Sequence, residues 1–255
     1  MTDLPSKSDL TKKLIEGNFS LSEVIKEMNL CFDFDGPIID VSDRYYRAYL
    51  ESLKGTSINK SQILTKENFW NLKRNRITDF EISLLSGLSI NDSKDSAEAR
   101  KELSFKTEFL EQDKLFEDVH KTFEYLKSKK IIFFIVTLRQ KKQLDHAIKH
   151  FKLDKYLNDE HFFCINEEHK IINDIQEKHI LLVSAINKLN LSPQETWIIG
   201  DTETDIHAGR LAKYEKVVAI SRGIRSKEQL ETVKPDYLVN NLAEIISISQ
   251  GLSVN

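Results

Sequence analysis

The stretch Leu30-Cys31-Phe32-Asp33-Phe34-Asp35-Gly36-Pro37 decides how this chain is read. A short apolar run ends in two carboxylates at i and i+2, and a Gly-Pro break follows. In extended chain such residues point the same way. Two acids side by side repel, and burial adds a desolvation cost unless something offsets it. A divalent cation is the usual remedy, and a hard ion such as magnesium prefers oxygen ligands. An aspartate-rich turn closing a strand reads equally well from this stretch alone.

Similar runs recur outward along the chain: Ile131–Val136, Phe162–Ile165, Trp197–Ile199, Val217–Ile220 and, more weakly, Tyr237–Val239. Most are short and rich in Ile, Val and Phe, as buried strands of a parallel sheet are. Helical spacing fills the gaps at Phe116–Lys127, Gln143–Phe151 and Ile180–Leu189. The alternation predicts an α/β fold, a doubly wound parallel sheet of Rossmann-like kind. It fails only between Asp40 and about Leu115. There Ser42–Leu53 carries Tyr46, Tyr49, Leu50 and Leu53 at helical spacing, and Glu67–Arg74, Phe80–Leu85 and Ala97–Leu110 also read as helices. The expected organisation is a lead-in over residues 1–27, an α/β core over 28–40 and 115–255, and an all-helical insertion over 41–114.

With 255 residues, 40% hydrophobic and 30% charged, the chain has apolar mass for a real core. Lys plus Arg number 37 against 40 Asp plus Glu, which argues against a nucleic-acid binder. The two cysteines, Cys31 and Cys164, are too few for a disulfide scaffold. No apolar run is long enough to span a bilayer. A cytoplasmic protein with no membrane partner is expected.

Three further stretches carry chemistry. In Trp197-Ile198-Ile199-Gly200-Asp201-Thr202-Glu203-Thr204-Asp205 a strand again ends in carboxylates, with Asp205 also suited to capping the next helix. In Ile135-Val136-Thr137-Leu138-Arg139 a hydroxyl ends the longest apolar run, where it would cap a helix or help hold an anion. Lys178 opposes the dipole at a helix start, and in isolation reads as a solvated lysine. Ligands of open α/β sheets bind beyond the carboxyl ends of the strands. The fold would therefore gather Asp33, Asp35, Thr137 and Asp201 in one crevice near Lys178, an assembly suited to phosphoryl transfer.

The order Asp-x-Asp-Gly, Thr, Lys, Gly-Asp-x-x-x-Asp resembles the haloacid dehalogenase superfamily in its magnesium-dependent phosphatase branch. The resemblance covers Leu30–Asp40 and about Leu115 to Leu242, departing at Pro37, where the family commonly has Thr. It implies that the helical insertion is a cap, that Asp33 is the nucleophile, and that Asp35 is the general acid and then the base. Asp33, Asp35 (through its carbonyl), Asp201 and Asp205 would hold Mg2+. Thr137, with Leu138 and Arg139, would meet the substrate, and Lys178, with Lys170 as the alternative, would neutralise charge. A phosphomonoesterase acting on a small phosphoester is the expected function. A phosphomutase shares every one of these residues, and an idle binding protein shares the fold. A dehalogenase has no use for Asp35 and Asp201. In the insertion, Lys73, Arg74 and Arg76 read as a solvated helix end or as readers of a second anionic group. Trp70, Tyr45, Tyr46 and Tyr49 read as packing residues.

Overall fold

The computed structural model describes residues 28–56, 58–169 and 171–250. The lead-in 1–27 and Lys170 lie outside these, so the readings made of them find no structural counterpart here.

Six parallel strands form one sheet in the order β5-β4-β1-β6-β7-β8, where β1 is Asn29–Phe32, β4 Phe133–Gln140, β5 Phe162–Ile165, β6 Thr196–Gly200, β7 Lys216–Ile220 and β8 Tyr237–Val239. The strands read as continuous apolar runs because both faces are covered. Leu30, Phe32, Phe133, Ile135, Ile199 and Val218 face the helices Asp118–Ser128, Lys141–His150 and Leu242–Ser249. Cys31, Phe134, Val136, Ile198, Val217 and Ala219 face the helices Asp174–Leu189 and Glu203–Leu211. The result is a three-layer α/β sandwich of Rossmann-like kind.

Two expected element boundaries need correction here. The run Ile131–Val136 is a strand only from Phe133, and that strand continues through Thr137, Leu138 and Arg139 to Gln140. Lys130, at φ 56°, turns the chain in the left-handed region just before it, and a register shift between Val136 and Gln140 lets the polar tail keep pairing with β5. The stretch Ala97–Leu110 is not one helix but parts of two, Ile90–Leu103 and Thr107–Leu110. They are split by a turn in which the Ser104 hydroxyl donates back to the Arg100 carbonyl at 2.8 Å.

Between Asp40 and Lys114 the described residues form helices and no strand. Both crossings to this insertion are pinned by a two-stranded antiparallel ribbon, β2 (Ile39–Asp40) against β3 (Lys114–Leu115). The helix Lys66–Arg74 starts on a Thr65 cap and Asp79–Leu85 on a Thr78–Glu81 capping box. Tyr49, Leu53, Phe69, Ile82 and Leu88 give the insertion an apolar cluster of its own. Tyr49 stacks on Phe69 at 4.8 Å, and Tyr45 meets Trp70 edge-on, so these aromatics are packing residues. In the helix Ser42–Ser52 the expected apolar face is shifted: Leu50 is 37% exposed, whereas Arg44 is fully buried.

Phe123 lies fully buried against Phe32, Phe133 and Tyr156, with ring centroids 4.8–5.7 Å apart. Phe123→Ala is expected to lower the unfolding free energy by about 3–5 kcal/mol. Urea denaturation checks this, and a loss under about 1 kcal/mol would show that this side of the sheet repacks freely.

Candidate functional site

Adjacent strands β4, β1 and β6 bring Thr137, Asp33 and Asp201 to one end of the sheet. The Asp33 amide continues the ladder by donating to the Ile199 carbonyl at 2.8 Å. Lys178 enters from the helix Asp174–Leu189, on the face that also buries Cys31. Its ammonium, 2% exposed, donates to Asp33 Oδ1 at 2.5 Å and to the Val136 carbonyl at 2.8 Å, and lies 3.0 Å from Asp205 Oδ1. Asp205 is not the helix cap. Thr202 is, and Asp205 Oδ2 accepts its hydroxyl at 2.8 Å and its amide at 3.2 Å. One carboxylate thus starts a helix and anchors a lysine.

Asp33, Asp201 and Asp205 each offer a carboxylate oxygen within 4.8 Å of the others'. Two glycines permit this. Gly36 takes φ +95°, and a Cβ at Gly36 or at Gly223 would overlap the Asp201 carboxyl. The Ile224 amide donates to Asp201 Oδ2 at 2.6 Å. Burial and the neighbouring acids push Asp33 up to about 7 despite Lys178 and push Asp201 well above the carboxylate range. Burial opposes the charge on Lys178, yet Asp205 and Asp33 hold its pKa above the ordinary value. Three acids against one lysine is an oxygen-only, negatively charged cradle, and its donor chemistry fits a hard divalent ion.

Asp35 departs from the reading of two acids on one side. The chain bends at Phe34, so Asp35 swings away from Asp33 and its carboxylate is not among the three clustered acids. It accepts from Arg44 at 2.9 Å and from Arg139 Nε at 2.7 Å. Asp113 closes the group, 3.1 Å from Arg44 and 2.5 Å from Arg139. Burial alone would raise the Asp35 carboxyl, but the two guanidiniums hold it below its usual value. The cation offsetting this second acid is therefore arginine. Arg139 is neither a helix-surface residue nor free toward solvent: it is 3% exposed on β4 and engaged by two carboxylates.

Thr137 is buried and does not cap the following helix, which Gln140 caps instead. The Thr137 hydroxyl accepts the Arg139 amide at 3.1 Å. Leu138 is half-buried between them. Nor is the basic cluster a solvated helix end. Arg74 donates to the Ser221 carbonyl at 2.5 Å and to that of Arg225 at 3.2 Å, Arg76 pairs with Glu203 at 3.0 Å, and Lys73 with Asp79 at 2.8 Å. Arg74 thus clasps the insertion to the loop that follows β7 and Arg76 to the helix Glu203–Leu211, while Lys73 pairs within the insertion.

Sequence reasoning missed Arg44, Asp113 and the 222–225 loop. Arg44 sits in an otherwise amphipathic helix, and no periodicity marks an arginine as buried. Arg222 pairs with Asp118 at 2.7 Å and donates to the Pro37 carbonyl, tying the loop of the first motif to the loop after β7 and to the start of the helix Asp118–Ser128.

Residues 30–219 match the sequence profile of the haloacid dehalogenase-like hydrolases. The chain belongs to that family. It is 25% identical over 232 residues to the pyrophosphatase PpaX of Bacillus mycoides, covering 88% of this chain and 97% of that one. Its fold resembles a haloacid dehalogenase-like hydrolase from Streptococcus pneumoniae (TM-score 0.63, 19% identity, 88% of this chain and 98% of that one). It also resembles a predicted phosphoglycolate phosphatase from Haemophilus somnus (TM-score 0.63, 20% identity, 89% and 99%). This hydrolase has no helix among the described residues long and apolar enough to cross a membrane.

The Asp33 pKa of about 7 makes stability depend on pH in the metal-free protein. The unfolded value is ~3.9, so the folded state holds its proton more tightly. The stabilisation is complete below about pH 4 and is lost as pH rises through about 7. Asp33→Asn removes this loss. Urea melts in EDTA are expected to show the variant gaining on the parent between pH 5 and 7.5, then running parallel to it. Curves parallel throughout would contradict the raised pKa.

Proposed function

We propose that this hydrolase is a magnesium-dependent phosphomonoesterase that acts on a small phosphorylated metabolite through an aspartyl-phosphate on Asp33. The observation that carries the reading is the placement of Asp33. It is a buried carboxylate at the end of the central strand, oriented by Lys178 through Oδ1, with no protein donor to Oδ2 among the described residues. A carboxylate held by one oxygen presents the other for attack. The name of the PpaX relative points to the same phosphoryl chemistry.

Asp33, Asp201, Asp205 and the Asp35 carbonyl would hold Mg2+, which when bound supplies positive charge against the phosphoryl oxygens. Asp33 Oδ2 forms a bond to phosphorus as the bond to the leaving oxygen breaks, and that oxygen leaves with the electron pair. Thr137 donates its hydroxyl to a phosphoryl oxygen, and the amides of Leu138 and Arg139 stand close by in the chain. Lys178 balances the Asp33 carboxylate before and after transfer. A water then attacks the same phosphorus, giving up its proton to Asp35, and phosphate leaves as the Asp33 carboxylate re-forms. Asp35 is well set for this base role because Arg44 and Arg139 keep it charged. Protonating the leaving oxygen in the first step requires Asp35 to take up a proton against both guanidiniums.

Asp33→Asn is expected to keep the fold and to lower turnover of p-nitrophenyl phosphate by at least ~10³-fold. EDTA is expected to abolish activity and magnesium to restore it. Normal turnover by a correctly folded variant, or full activity in EDTA, would remove the reading.

A further inference from the structure

The basic cluster of the insertion and the loop after β7 border a solvent-open pocket of about 340 Å³, ample beside the ~30 Å³ of one liquid water. Lys73, Arg76 and Arg225 line it, with Asp79. Its ion pairs are unbalanced. Asp79 is shared by Lys73, at 2.8 Å, and Arg100. Glu203 is shared by Arg76, at 3.0 Å, and Arg225, at 2.8 Å. Four cations meet two carboxylates, leaving a surplus of two positive charges at one place. Three of the four are not floppy surface groups: the side chains of Lys73, Arg100 and Arg225 are 12%, 9% and 19% exposed, and only Arg76 is half-exposed. With Lys73 protonated the surplus is two; burial together with Arg100 and Arg225 pushes Lys73 down to about 7, so near neutral pH an arriving dianion would complete its protonation.

The cavity adjoins the proposed active site along the chain. Arg225 directly follows Ile224, whose amide holds Asp201, and Glu203 lies two residues beyond Asp201. Its walls come from both the insertion and the core, so a ligand filling it would bridge the two. We infer that this cavity takes a second, dianionic phosphoryl group, and that the preferred substrate carries it some distance from the phosphate that is cleaved. A dianion matches the surplus charge, and arginine forks suit its oxygens. The inference rests on the phosphomonoesterase reading and adds to it a class of substrate, the bisphosphates.

The test uses Lys73→Gln/Arg76→Gln, with the half-exposed Arg76→Gln alone as a second variant should the double one misfold. The substrates are α,ω-alkanediol bisphosphates of two to six carbons, the matching monophosphates, and p-nitrophenyl phosphate. The parent is expected to favour at least one bisphosphate over its monophosphate by about tenfold or more in kcat/KM, mainly through KM. The variants are expected to lose that preference while p-nitrophenyl phosphate turnover stays within about twofold. Equal losses on all substrates, or an unchanged preference, would overturn the inference. Calorimetric titration with inorganic phosphate separates the two levels of the argument. Binding that the variants abolish, in a protein that turns over no phosphoester, keeps an anion site and sinks the enzyme reading. Binding in the cavity with bisphosphates no better than monophosphates assigns it to free phosphate and sinks the substrate inference.

Discussion

The ammonium of Lys178 is the contact on which the rest of the site depends. It sits between Asp33 and Asp205 in a buried setting where an unpaired charge of either sign would be costly. Each carboxylate comes from a different segment, one from the end of β1 and one from the first turn of the helix Glu203–Leu211 that follows β6. Bringing them to one lysine fixes how β1, β6 and the helix Asp174–Leu189 stand relative to one another. One cation remains too few for the three acids gathered there. The surplus of negative charge is what makes the cradle suitable for a divalent cation.

A second ionic group does different work. Arg44 and Arg139 match Asp35 and Asp113 in charge, two against two. Arg44 belongs to the first helix of the insertion, Asp113 lies just before the returning ribbon strand, and Asp35 and Arg139 belong to the core. The quartet therefore ties both chain crossings to the residue two positions beyond Asp33. The clasp at the other side of the insertion, Arg74 on the carbonyls of Ser221 and Arg225 together with Arg76 on Glu203, is also built from arginine. The insertion meets the core through polar contacts at both places, and of its apolar side chains Tyr45 and Trp70 pack against the core cluster as well as its own. Such an interface is suited to motion between the two parts.

Much of this architecture is legible in the order of residues. A run of Ile, Val and Phe flanked by helical spacing can only be buried on both faces, so the parallel sheet follows from the pattern. Acids placed just after such runs must lie at the carboxyl ends of the strands, which is why Asp33, Asp201 and Thr137 are found together. Lys178 is identifiable only through its place in the order of motifs, since nothing local distinguishes it from other lysines.

What the chain by itself determined was the sheet, the interruption by helices, and the residue types that converge at one end. Only the tertiary structure decided where each charge finds its partner. A bend of one residue at Phe34 separates Asp35 from Asp33, and a register shift in β4 carries Arg139 into the interior. Periodicity reports which face of an element is apolar, but it carries no record of a distant counter-ion. Arg44, Arg139 and Lys178 are buried because acids far away in sequence meet them there, and that meeting exists only in the folded chain.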